Sequence, residues 1–595
     1  MSYYLQKMCG IFALLNYEDN NYSQEFINEQ FMKGKGRGPE SSILSKVGIQ
    51  VMFGFHRLAI NGLNDESNQP MKIDEIILIC NGEIYNYKEL YEMIDVTPTT
   101  QSDCEIIIHL YKKYGIEHTL ELLDGVFSFA LLDQRTQNED TKLYVARDPY
   151  GVRPLYILEQ TAGGNGASQM MGFASELKCL TEFMAPYLNY SASHFEPGTY
   201  SIYNLPMKVS TSWELETKNI RYHTTGFSRF MYSSSENTNI VNWEYTTLIN
   251  NLQMLLINSV EKRCVTTERK IACLLSGGLD SSLIAALVSE FHKMHNLPPI
   301  ETYSIGLVGS EDLKYAAIVA NHIGSVHTEI VLTEQDFTSA IPEVIRTIES
   351  YDTTSVRASI GNYYLGKYIS ETSDAKVIFN GDGSDELFGG YLYMGCAPDA
   401  LEFDRECKRL LRDIHAFDVL RSDKSISSHG LEPRTPFLDR SLVQYYLSIP
   451  AKIRYTKNSN KIEKCLLRLA FAKENFKNAE GNPLLPDEII WRKKEAFSDG
   501  VSSQTRSLYR ILQEYASEQM KDTHFDASFI KHNTPVTDEQ KYYRKIFETH
   551  YLGLGNVVPY FWMPKYVDAT DASARTLDIY KSDTINTTVN VDEVV

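Results

Sequence analysis

The sequence predicts two domains of different build: an α+β domain of layered sheets with helices outside, then an α/β domain whose parallel sheet leads into a helical C-terminal part. Three observations carry this expectation. At 595 residues the chain is too long for one ordinary core. From Cys9 to about Ser210, short apolar runs separated by Gly, Asn and Asp turns read as strands with few helices between them. Farther on, strands and helices alternate, which is the rhythm of a parallel sheet wrapped by helices.

In the first domain, placed at 9–210, the runs are CysGlyIlePheAlaLeuLeu from Cys9, IleIleLeuIleCys from Ile76, PheSerPheAlaLeuLeu from Phe127 and LysLeuTyrValAlaArg from Lys142. One helix, Asp103 to Tyr114, interrupts them. Residues 208 to 242 are rich in Ser, Thr and Asn with little periodicity, so 211–242 reads as a linker or surface decoration. The second domain, 243–578, opens with strand Lys270 to Leu275. A helix from Ser281 follows, with Leu283, Ile284, Leu287, Val288 and Phe291 at helical spacing. Strand Glu301 to Leu307, helix Asp312 to Ile323, strand His327 to Leu332, a longer helix and strand Lys376 to Phe379 continue the alternation. Ligands of such a sheet bind beyond the carboxyl ends of its strands. Residues 400 to 575 read as mainly helical, and the polar end, 579–595, as disordered.

A formal charge of -19 disfavours nucleic acid as a partner, because phosphate binding needs a basic face, and points to small-molecule ligands. Nine cysteines without a CxxC pair fit reduced thiols, hence a cytoplasmic protein. No apolar run approaches a membrane span, and the opening MSYYLQKM lacks the pattern of a secretory signal.

The sharpest motif is SGGLDSS, Ser276 to Ser282, between a buried strand and a helix. Its glycines allow a tight turn, so that amide N–H groups and the helix N-terminus can cradle phosphate oxygens, and Asp280 can hold a magnesium ion bridging them. No Lys follows the glycines, so it is not a Walker loop. The bland reading is an ordinary strand-to-helix turn. A second glycine-rich segment, Asn380 to Tyr391, sits at the end of a later strand and so on the same sheet edge. Its Asp382, Asp385 and Glu386 would repel one another without a cation; the alternative is a solvated acidic turn.

SGGLDSS is the fingerprint of the ATP-pyrophosphatases, and its pairing with GDGSDELFGGY resembles the glutamine-hydrolysing asparagine synthetases. The segments YDTTSVRAS (351–359), HGLEPRTPFLD (429–439), WRKKEAFSDGV (491–501) and WMPKYVDATDASARTL (562–577) match as well, so the resemblance covers nearly the whole chain. It implies that Leu274, Ile305, Asn380 and Gly381 surround the adenosine of ATP. Ser276, Gly277, Gly278, Asp280, Ser281 and Ser282 would lie on its pyrophosphate, and Asp280 and Asp385 would bind Mg2+. Arg357 and Lys494 would neutralise phosphate or carboxylate charge, with Arg357 and Tyr391 near the adenylate or aspartate. Asp382 stands where many members have Glu, a carboxylate that takes a proton from the attacking amine.

CysGlyIlePhe at 9–12 resembles the start of the N-terminal nucleophile amidotransferases, whose terminal Cys uses its own α-amine as base. ArgGlyProGlu (37–40), HisArgLeuAlaIle (56–60), AsnGlyGluIleTyrAsn (81–86) and SerAspCysGlu (102–105) follow in family order. The resemblance implies an αββα sandwich with Cys9 as nucleophile and Asn81 and Gly82 as oxyanion hole. Arg57, Glu83 and Asp103 would hold the α-carboxylate and amine of glutamine, with Leu58 and Ile60 beside them. Seven residues precede Met8, so Cys9 as written has no free amine; a start at Met8 followed by its removal restores the pattern more simply than a cleaved propeptide. The implied activity is amidation of ATP-activated aspartate with ammonia from glutamine, in an enzyme expected to pair as a homodimer. The competing readings are another amide-forming synthetase of the superfamily and a non-catalytic glutamine- or nucleotide-binding regulator.

Overall fold

The computed structural model describes residues 9–18, 22–135, 140–160, 169–184, 190–206, 211–226, 238–455, 462–503, 505–523, 525–527 and 530–581. The N-terminal part carries twelve strands: β1 Gly10–Leu15, β2 Ser41–Gly48, β3 Val51–Arg57, β4 Met71–Ile73, β5 Ile76–Ile84, β6 Gly125–Asp133, β7 Thr141–Arg147, β8 Tyr156–Gln160, β9 Met171–Ala174, β10 Tyr190–His194, β11 Thr199–Leu205 and β12 Glu214–Arg221. They form two antiparallel six-stranded sheets, ordered β10-β8-β9-β1-β3-β2 and β12-β11-β7-β6-β5-β4.

The sheets face each other through alternate residues. Ile11, Ala13 and Leu15 of β1 meet Ile77 and Ile79 of β5 and Ala130 and Leu132 of β6. The intervening residues are buried on the outer faces. Phe12 and Leu14 pack with Ile27 and Phe31 of the helix Gln24–Met32, and Leu78, Phe129 and Leu131 pack with Ile106, Ile107 and Leu110 of the helix Ile106–Leu122. Burial on both faces explains why these strands read as unbroken apolar runs rather than alternating ones. The helix expected at Asp103 to Tyr114 begins as a 3-10 turn, Asp103–Glu105, and runs on to Leu122 past a non-helical Gly115.

The second part holds five parallel strands in the order β15-β14-β13-β16-β17: β13 Ile271–Leu274, β14 Glu301–Leu307, β15 Val326–Leu332, β16 Val377–Phe379 and β17 Glu432–Arg434. The chain leaves β13 toward β14 and β15 on one side and returns to β16 on the other. The crevice between β13 and β16 is therefore the switch point of the sheet, where open α/β sheets bind ligands. The helix Leu279–Met294 starts two residues earlier than the expected Ser281, with Gly278 as its N-cap.

One expectation is corrected. The segment 211–242 is not a simple linker, because β12 pairs antiparallel with β11 and extends the first domain to Arg221, and the long helix Thr238–Val265 begins before residue 243. β12 is an edge strand with mostly exposed side chains, so it carries no apolar signal. The polar end expected to be disordered lies mostly outside the described residues, although Asp578–Lys581 forms a short helix.

Candidate active sites

In the synthetase part, the loops after β13 and β16 converge on one cleft. Leu274, Ser276, Gly278, Asp280, Ser281, Ile305, Asn380, Gly381, Asp382, Asp385, Tyr391 and Lys494 all line it. Gly381 is what lets the loops touch: a Cβ there would lie 2.9 Å from the Asp280 Cβ and from the Ser281 N. Gly277 and Ser282 do not line the cleft. Gly277 has φ +70 and packs on Tyr315 and Ala316, where a Cβ would come within 2.4 Å of the Ala316 N, and Ser282 is buried in the helix.

Two ammonium groups hold the acidic pair at the cleft floor. Lys464 Nζ lies 2.7 Å from both Asp280 carboxylate oxygens and 2.5 Å from Asp385 Oδ1; Lys494 Nζ lies 2.7 Å from Asp385 Oδ2 and 3.5 Å from Asp280. Burial would raise the Asp280 carboxyl, but Lys464 and Lys494 hold it well below the usual range. Burial would lower the Lys494 ammonium, and Asp385 and Asp280 raise it instead. Asp280 and Asp385 offer oxygen ligands of the kind a hard divalent cation takes, but both are paired with lysines, and among the described residues no group of three or more His, Cys, Asp or Glu side chains gathers as a metal site.

A second polar cluster lies beside Asp382, whose carboxylate accepts from Asn380 Nδ2 at 2.6 Å and faces Arg421 at 3.4 Å. Tyr391 OH donates to Glu386 at 2.5 Å and to Asp418 at 2.9 Å. Burial pushes Asp382 up against the pull of Arg421, and pushes Glu386 well up with the help of the Asp418 charge. Sequence reading missed Lys464, Asp418 and Arg421, which arrive from segments with no glycine-rich signature. Arg357 lines a smaller pocket that shares Thr354, Tyr391, Ala496, Ser498 and Trp562 with the cleft, and its buried guanidinium is held by Glu539, with Nε at 2.9 Å, and by two bonds to Asp571 at 2.7 and 2.8 Å.

In the N-terminal part, Cys9 Sγ donates to the Leu58 carbonyl at 3.2 Å and accepts from the Leu58 N–H at 3.3 Å. Burial pushes this thiol up to about 12. Asn81 Nδ2 donates to Ser175 Oγ at 3.3 Å, which also receives the Ile11 N–H, so the Asn81 amide is tied to β1, the strand that begins one residue after Cys9. Gly82 allows β5 to approach β6, since a Cβ would lie 2.5 Å from the Val126 carbonyl. Arg57 donates to the Gly62 and Asn64 carbonyls and so shapes the turn after β3. Glu83 accepts from Asn61 Nδ2 at 2.7 Å and faces Arg434 of β17 at 3.3 Å, a contact across the two parts. Asp103 accepts the Ile84 N–H at 2.7 Å, and burial raises its carboxyl to about 6. Leu58 and Ile60 belong to a core shared with Leu256 and Val260 of the second part. Cys80, Cys104, Cys179, Cys264, Cys273 and Cys407 are buried thiols.

Comparison with known proteins assigns both halves. Residues 8–206 match the family described as Glutamine amidotransferase domain, and residues 251–401 and 396–553 match Asparagine synthase. The chain is thus a glutamine amidotransferase domain joined to a synthetase domain. It is 42% identical over 588 residues to the glutamine-hydrolyzing asparagine synthetase of Gallus gallus, covering 97% of this chain and 99% of that protein. The Homo sapiens protein of the same name is 42% identical over 590 residues, with the same coverage. The chain belongs to the family of glutamine-hydrolysing asparagine synthetases.

Proposed function

We propose that this chain makes asparagine from aspartate, ATP and glutamine. The observation that carries the synthetase half is the convergence of Asp280, Asp382, Asp385 and Lys494 on one cleft at the switch point of the parallel sheet. The cleft-lining part of the loop, Ser276, Gly278, Asp280 and Ser281, and the N-terminus of the helix Leu279–Met294 cradle the ATP phosphates. Asp280 and Asp385 would hold Mg2+, which supplies positive charge to the leaving pyrophosphate. Lys494 adds a second positive group on the same side. The side-chain carboxylate of aspartate attacks the α-phosphate, giving β-aspartyl-AMP and pyrophosphate, and ammonia then displaces AMP. Asp382, raised by burial and steadied by Asn380 and Arg421, takes the proton released by the incoming amine. Being a methylene shorter than Glu, it relies on those two neighbours for its aim.

In the N-terminal domain Cys9 attacks the glutamine amide, with Asn81 and Gly82 stabilising the oxyanion and Arg57, Glu83 and Asp103 receiving the α-amino-acid end. A thiol held up at about 12 is a poor nucleophile on its own, which suits activation by its own α-amine once Cys9 is the first residue. Glutamine, aspartate and ATP are the partners. The homodimer is carried over from the resemblance, and the cytoplasmic setting from nine cysteines scattered without a CxxC pair.

The test mixes the protein with ATP, aspartate, Mg2+ and ammonium. AMP, pyrophosphate and asparagine should form in equal amounts and only when aspartate is present. Binding of nucleotide without turnover would favour a regulator, and turnover with another carboxylate alone would favour a different amide-forming synthetase.

A further inference from the structure

We infer that Asp423 of the synthetase domain is a positioning residue for the glutaminase nucleophile. It acts through Arg37 and rests on the reading of Cys9 as that nucleophile. Arg37 belongs to the ArgGlyProGlu segment, and its Nε donates to the Cys9 carbonyl at 2.8 Å, so it fixes the backbone that carries the thiol. The guanidinium is 2% exposed and must find counter-charge inside the protein. One partner, Glu176 at 3.0 Å, is local to the first domain but is shared with Lys178 at 2.8 Å and Lys424 at 3.2 Å. The shorter contact, 2.7 Å, is to Asp423 Oδ2, and Ser427 Oγ accepts from the same nitrogen at 3.0 Å. The other Asp423 oxygen faces Arg153 of the first domain at 3.2 Å.

Asp423 and Ser427 lie on the helix Asp418–Ser427, which is buried almost throughout. The same helix builds the amidation end of the synthetase cleft. Asp418 accepts from Tyr391, Arg421 faces Asp382, and Ser422 Oγ accepts from Asn380 Nδ2 at 2.8 Å. Residues two apart on a helix point about 200° away from each other, so Arg421 and Asp423 reach opposite ways from one rigid rod. Whatever sets the rod against the synthetase cleft therefore sets Arg37, and Arg37 sets Cys9. The link runs through a buried, charge-assisted contact, which tolerates little displacement without loss.

Two variants test it: Asp423→Asn, which keeps shape and one acceptor but removes the charge, and Ser427→Ala, which removes only a hydroxyl. The readouts are the rate at which a diazoketone analogue of glutamine alkylates Cys9, the kcat for glutamine hydrolysis, and ammonium-dependent asparagine synthesis. Asp423→Asn should slow alkylation and hydrolysis by about tenfold to a hundredfold, the scale of small misplacements of reacting groups. Ser427→Ala should act in the same direction with a smaller effect, and ammonium-dependent synthesis should stay within about twofold in both. Equal losses with glutamine and ammonium, or unchanged alkylation in either variant, would overturn the role of Asp423. If the analogue fails to label the thiol of protein shown to begin at Cys9, Cys9 is not the nucleophile, and the role falls with it.

Discussion

Asp103 is buried and Asp382 half-buried, loss of water lifts both carboxylic acids above the ordinary aspartate range, and their surroundings prepare them for different work. Asp382 faces Arg421, Asn380 and the acidic neighbours Asp385 and Asp418, a setting for a group that accepts a proton late in the reaction. Asp382→Ala should leave aspartate-dependent pyrophosphate release closer to wild type than asparagine formation. Single-turnover measurement of both steps checks this, and equal loss would make the residue a positional or metal-binding one. Asp103, raised to about 6, is charged above that pH and neutral below it. If its carboxylate receives the ammonium group of glutamine, kcat/KM for glutamine should fall as pH drops through about 6 and level off above it. The same profile in Asp103→Asn should be low and without that inflection, while ammonium-dependent synthesis should not follow it.

Among the secondary elements, the two loops after β13 and β16 decide whether the cleft exists. Gly381→Ala would force a methyl group toward the Asp280 Cβ and the Ser281 N, both 2.9 Å away, and push the loops apart. Overpacking of this kind costs about 1–3 kcal/mol, so thermal unfolding should shift down, and the KM for ATP should rise because the phosphate loop moves. Unchanged ATP affinity in the folded variant would contradict the close approach of the loops. These loops were legible in the sequence because their chemistry needs glycines beside acids at the end of a buried strand, a local requirement. Lys464, Asp418 and Arg421 were not legible. Lys464 meets Asp280 across 184 residues of sequence, and a lysine before an apolar helix carries no mark of that. The same holds for β17, three residues of Glu432, Pro433 and Arg434 without an apolar pattern, and for the exposed β12, whose polar side chains read as linker. For Arg357 nothing in the sequence marks its partners, because Glu539 and Asp571 come from segments far along the chain.

For the whole molecule, the two domains share their cores. Phe12 and Leu14 of β1 lie in one cluster with Ile345 and Leu554, and Leu58 and Tyr85 lie in another with Leu256 and Leu283. The ion pairs Arg37–Asp423 and Glu83–Arg434 cross the same boundary. Arg357 plays a similar part inside the synthetase domain, tying the helix Thr353–Thr372 to Glu539 and to the C-terminal segment at Asp571. Replacing it by Met takes the counter-charge from the buried Glu539 and leaves Asp571 only Gln513 and the Ser573 N–H, and should destabilise the fold by roughly 3–5 kcal/mol. Denaturant unfolding measures this; a raised KM for aspartate or ATP with unchanged stability would instead place Arg357 against substrate.

The central claim is that ammonia made at Cys9 is consumed beside Asp382, and the most direct test is a comparison of nitrogen donors in Cys9→Ala. With the nucleophile gone, covalent catalysis is lost outright, so glutamine hydrolysis and glutamine-dependent asparagine formation should fall by orders of magnitude. Asparagine formation from added ammonium should persist at close to the wild-type rate, because free ammonia reaches the synthetase cleft from solvent. Protein shown by mass spectrometry to retain Met1 should behave like this variant, since its Cys9 amine is tied up in a peptide bond. Glutamine use by Cys9→Ala at the wild-type rate, or loss of the ammonium-dependent reaction along with it, would contradict the account.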